Sequence, residues 1–116
     1  MKLDEQVVDA IFNELFSNNS MRYRNELSQP VDQNIDVYAK ARNALANLST
    51  SERNDVFKFL DVVIADSASV ILGILDGTHY PDNINGDFTV TYKNNEIAGD
   101  LQDLFIEKAE EKGIYN

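Results

Sequence analysis

The chain has 116 residues, 43% of them hydrophobic, and a formal net charge of −10 from 10 Lys and Arg against 20 Asp and Glu. That is enough for one ordinary domain with its own core. The absence of cysteine excludes disulfides, thiolate metal sites and a thiol nucleophile together.

The acid is unevenly spread. Residues 1–58 hold 7 basic and 9 acidic side chains, giving −2, and residues 59–116 hold 3 and 11, giving −8. Binding to nucleic acid or to an anionic membrane needs basic groups that neutralise phosphate, so both are disfavoured. Such a field attracts and steers a cationic partner, or serves solubility alone. The N-terminus MKLDEQVVDAIF has acids in its first five residues and no small-residue cleavage site, so it does not read as a signal peptide. The longest apolar region, Val56 to Leu75, is interrupted by Lys58, Asp61, Asp66, Ser67 and Ser69, which suits a core helix rather than a membrane span. A cytoplasmic protein is the expectation.

Leu3, Val7, Val8, Ile11, Phe12, Leu15 and Phe16 recur at three- and four-residue spacing and predict an amphipathic first helix. Asn18, Asn19 and Ser20 weaken it, Met21 to Leu27 resumes it, and Pro30 redirects the chain. Asp32 is placed to cap a second helix whose apolar stripe is Ile35, Tyr38, Ala41, Leu45 and Leu48. Ser49 and Glu52 have capping-box spacing and start a third helix that runs to about Asp76. Apolar over much of its circumference, with Phe57, Leu60, Ile64, Ile71 and Leu75 to one side, this is the expected central helix. Gly77 is its left-handed stop. Another of its faces runs Asp55, Phe59, Val62, Asp66, Ser69, Gly73 and Asp76. Its small polar middle fits close approach of another helix, plain exposure, or a seam for a partner.

The loop Thr78 to Gly86 is turn chemistry. Phe88, Val90 and Tyr92 alternate with Thr89 and Thr91 as a half-buried strand. Asn94-Asn95 is the expected tight turn, and Glu96 to Ala98 the return strand. Asp100 then caps a last helix carrying Leu101, Leu104, Phe105 and Ala109 inward. The predicted fold is a single mostly helical α+β domain over 1–116, with four to five helices and one late two-stranded antiparallel hairpin at about 87–98.

No motif carries chemistry. His79 is the one histidine and lacks metal-ligand spacing around it. The carboxylates Asp76, Asp82, Asp87, Asp100 and Asp103 are spaced as caps and turns rather than as an acid/base pair, and there is no tryptophan to line a sugar cleft. Asp82 to Asp87 lacks calcium-loop spacing. Phosphate loops and nucleophile elbows are absent. Arg22, Arg24, Lys40 and Arg42 read as a solvated face. No catalytic residue, metal or cofactor is assigned.

The stretch Asp76 to Phe105, with its Gly86-Asp87, alternating strand, short turn and IAGDLQDLF, resembles the tail of small bacterial proteins, some of them immunity proteins of polymorphic, contact-dependent toxin systems. The resemblance implies a cytoplasmic protein that binds a cognate toxin domain and occludes its active or substrate-binding surface. Many such toxins are basic nucleases, which an acidic inhibitor complements. The expected contacts are then Asp76, His79, Tyr80, Asp82, Asp87, Glu96, Asp100 and Asp103. The alternatives are an acidic phage or mobile-element accessory protein that mimics nucleic-acid charge to inhibit a host protein, and a small enzyme. The protein is a monomer, or a homodimer paired through Val7, Ile11 and Phe12.

Overall fold

The computed structural model describes residues 1–116. Helix α1 (Leu3–Asn13) passes through a π-helical segment (Glu14–Asn19) directly into α2 (Ser20–Leu27). Then come α3 (Val37–Leu45), α4 (Thr50–Asp76), strands β1 (Thr91–Tyr92) and β2 (Asn95–Glu96), and α5 (Leu101–Glu111). The first three segments form one rod, so five α-helical segments make four rods, with the hairpin before the last. The predicted mostly helical α+β class holds.

Local signals explain several boundaries. Asp4 and Glu5 lie in the first turn of α1, where they face the positive helix end. The Ser49 hydroxyl accepts from the Glu52 amide, and the Glu52 carboxylate accepts from the Ser49 amide, so the expected capping box starts α4. Gly77 ends it at φ 78°, which a side chain would strain. The expected cap of the second helix shifts: Asp36, not Asp32, accepts from the Ala39 amide, and Asp32 instead pairs with Arg42.

The core is built around α5 rather than α4. Leu101, Phe105 and Ala109 pack against Val8 and Phe12 of α1 and against Ala65 and Leu72 of α4, with Ile97 closing the end below the hairpin. Lys108 on α5 meets Asp9 on α1 at 3.3 Å. Position along the chain hides this, because α5 has only 11 residues yet is covered on two sides, whereas the 27-residue α4 keeps an apolar side open. Val7, Ile11 and Phe12, named above as a possible dimer face, are core or packed against it.

The expected apolar stripe of α3 holds only in its later part. Leu45 is buried and Ala41 and Leu48 are half-buried, but Ile35 is 82% and Tyr38 46% exposed, and Ala39 and Arg42 point inward instead. A buried arginine decides the phase. Arg42 donates to the Glu26 carbonyl and the Asp32 carboxylate and lies 3.6 Å from the Glu26 carboxylate. Arg24 likewise clamps Asp61 at 2.6 Å, joined by the Ser20 hydroxyl at 2.5 Å, and lies over the Phe57 ring. These two arginines therefore tie α2 to α3 and α4 instead of forming a solvated face.

Candidate functional site

The segment 76–103 is organised from the junction of α4 and α5. Asp76, the last residue of α4, accepts hydrogen bonds from the amides of Gly99 (2.7 Å), Leu101 (3.2 Å) and Gln102 (2.8 Å). It thereby satisfies the orphan donors at the start of α5. Asp100 was the expected cap, but its side chain makes no capping bond. The Gln102 side chain donates to the Ser69 carbonyl at 3.0 Å and accepts from the Thr78 hydroxyl at 3.0 Å. A Cβ on Gly73 would fall 2.7–2.9 Å from that amide, so the small polar face of α4 exists to admit α5. Asp66, in the same stripe, raises the Tyr115 phenol, whose shift comes first from burial and then from that carboxylate.

The loop that follows is held by turns. The Ile84 amide donates to the Pro81 carbonyl, and Asn83 takes φ 72°, so Asp82 to Asp87 is a turn with its carboxylates outward. The Tyr80 hydroxyl donates to Asp87 at 2.6 Å, and that bond, with the aspartate's charge behind it, raises the phenol above its usual 10.0. His79 is exposed.

The hairpin is shorter than its sequence suggests. Thr91 pairs with Glu96 and Tyr92 with Asn95, and the positive angles fall on Lys93 (φ 52°) and Asn94 (φ 63°) rather than on Asn94-Asn95. The return strand is accordingly Asn95–Glu96, and Ile97 leaves it to enter the core while still donating to Val90 at 2.8 Å. Phe88 and Tyr92 remain partly exposed, and Val90 packs on the core. The Glu96 carboxylate accepts from the Val90 amide at 3.3 Å.

The eight expected contact residues thus divide. Asp76 is spent on the α5 terminus. Tyr80 with Asp87, and Glu96, are oriented by neighbours but exposed. His79, Asp82, Asp100 and Asp103 are exposed. Residues 76–105 hold six acids and one base, Lys93, for a net −5. None of the four ion pairs in the molecule uses any of those six carboxylates. No three His, Asp or Glu side chains converge as a metal cluster, and no helix is long and apolar enough to cross a membrane.

A second feature is not in the expected set. Tyr23 and Leu27 of α2, Val37, Tyr38 and Ala41 of α3, and Leu60, Val63 and Ile64 of α4 line a groove of about 250 Å³ with no polar wall. Its sequence signal was the excess of apolar positions around α4 together with Ile35, Val37 and Tyr38, more than one inward stripe can use. Neither the family models nor the curated proteins nor the solved structures contain a match to this chain.

Proposed function

We propose that this protein is a non-catalytic inhibitor of the immunity-protein kind, which binds a basic toxin domain in the cytoplasm and occludes its working surface. One observation carries the proposal. Asp82, Asp87, Glu96, Asp100 and Asp103 are all exposed between the end of α4 and the first turn of α5, and none is neutralised by a cation. Carboxylates without a cation partner, on segments held by turns and a helix start, need little reordering to meet a basic face. Such a surface contributes mainly to the rate of encounter.

The test begins with affinity capture from the native host at low salt, followed by association kinetics with the recovered partner. A basic domain at equal stoichiometry is expected. Its on-rate falls as salt screens the field, and reversing Asp82 and Asp87 to Lys lowers the on-rate on the order of tenfold with a smaller effect on the off-rate. Tyr80→Phe serves as control, since Asp87→Lys also removes the hydroxyl's acceptor. A salt-insensitive on-rate, or unchanged binding after both reversals, discards this surface.

A further inference from the structure

The apolar groove continues into a face that nothing in the chain covers. On α4, Phe59 is 65% exposed, Val63 43%, Val70 50% and Ile71 58%. On α3, Val37 and Tyr38 of the groove wall are exposed as well, and so is Ile35 just before the helix. The surface these side chains present is on the order of 800 Å², the share one partner gives to a standard-size interface. A monomer rarely keeps that much contiguous apolar surface in water.

We infer that this face binds a second copy of the same chain, forming a two-fold symmetric dimer with the two α4 helices antiparallel. The pattern along α4 is self-complementary. Phe59, Val63, Val70 and Ile74 lie on one side at helical spacing, and the stripe is centred at Asp66 and Ser67. Rotation about that centre sets Phe59 against Ile74 and Val63 against Val70, with Ser67, small and exposed, permitting close approach at the axis. The coverage is complementary too. α2 and α3 wall the first half of α4, at Leu60, Val63 and Ile64, but not Val70 and Ile71 in the second half. The same rotation carries the second copy's Ile35 to Tyr38 edge over Val70 and Ile71. Asp66 lies at the opposite margin of the stripe, beside Tyr115, and the rotation brings it near its own copy, a like-charge pair that adds to the repulsion salt screens.

Charge argues for a second copy over a cationic partner at this face, because no groove-lining residue is charged. The α4 face shares no residue with the acidic surface, and contact through it depends on salt in the opposite sense. Two chains of −10 repel, so the dimer tightens as salt rises, whereas steered binding of a basic partner weakens.

Light scattering and sedimentation of the full chain test this. The expected result is twice the chain mass at high concentration, with dissociation favoured at low salt. Val70→Asp and Ile71→Asp, both at exposed positions, should give monomers of unchanged helical circular dichroism. The chain has no cysteine, so Ser67→Cys alone reports the axis: it should form a disulfide-linked dimer on mild oxidation, while Lys40→Cys should not. A monomer at every concentration and salt overturns the inference. So does a dimer indifferent to Val70→Asp and Ile71→Asp, or a wild-type monomer whose face is filled by a different protein.

Discussion

Asp76 and Asp100 separate what a residue's type implies from what its place allows. Both precede α5, and Asp100 stands where a cap belongs in sequence, yet the carboxylate that reaches the amides of Gly99, Leu101 and Gln102 comes from the end of α4. Asp76→Ala should therefore cost about 2 kcal/mol, by leaving helix-start donors unpaired and loosening the α4–α5 junction. Asp100→Ala should stay within about 0.5 kcal/mol. Urea unfolding of the two variants checks the order, and equal losses would return the cap to Asp100. The cap of α4 was legible for the same reason this one was not. Ser49 and Glu52 are three residues apart, whereas Asp76 lies across the whole loop and hairpin from its partners. The capping box also predicts a pH dependence. The Ser49 amide, and then its hydroxyl, hold the Glu52 carboxyl below the ordinary 4.5, so the folded state prefers the charged form. The stability this contributes is present above the unfolded value and is lost as pH falls through the lowered folded one. Glu52→Gln should flatten that acid-side loss, and an NMR titration placing Glu52 at or above 4.5 would refute the assignment.

Among the elements, the α1–α2 rod shows how a weak signal conceals a definite geometry. Asn18, Asn19 and Ser20 mark where the apolar period fails, and the chain answers with a π segment, in which the Ser20 amide reaches Leu15 rather than Phe16. Each π step turns less than an α step, so six residues lag by about 100°, one residue's worth of helix rotation. That lag keeps Ser20 and Arg24 on the side of Phe12, facing Asp61 on α4. The π segment thus behaves as one extra residue absorbed into a helix whose two ends must face the same way. Deleting Ser17, which is exposed, should restore a regular helix in the same phase and leave the Ser20–Asp61–Arg24 cluster intact. The melting temperature should hold or rise. A clear loss of stability, or loss of the cluster from the NMR spectrum, would show that the π geometry itself is required. In the other elements the sequence signals the type better than the phase. At α3, Leu45 keeps its expected inward place while Ile35 and Tyr38 stay outside and Arg42 takes an inward position, and the hairpin turn slips by one because Lys93 also accepts a positive angle. Residue hydrophobicity carries no information about a buried ion pair formed 10 positions away.

For the whole molecule, shape and burial point the same way. The radius of gyration is 17.3 Å and the extents are 49 × 34 × 25 Å, against about 13 Å for a compact chain of roughly this length. The continuous core joins α1, the later part of α4, Ile97 and α5. Ala39, Leu45 and Phe57 are buried apart from it, in a smaller cluster where α2, α3 and the start of α4 are joined largely through Arg24 and Arg42. Opening α3 exposes few apolar side chains, and opening α5 exposes the core. Local stability follows the apolar contacts that an opening must break. In native-state hydrogen exchange, the amides of α5 should be the slowest and should exchange at the global unfolding rate. Those of α3 should exchange much faster in dilute protein. If two copies meet across Val37, Tyr38 and the open side of α4, protection of α3 must then grow with protein concentration while that of α5 stays fixed. Uniform protection at every concentration would contradict the separation into two clusters. Fast exchange in α3 that concentration does not slow would preserve the separation and remove the dimer, because only a contact between chains links that helix's stability to mass action.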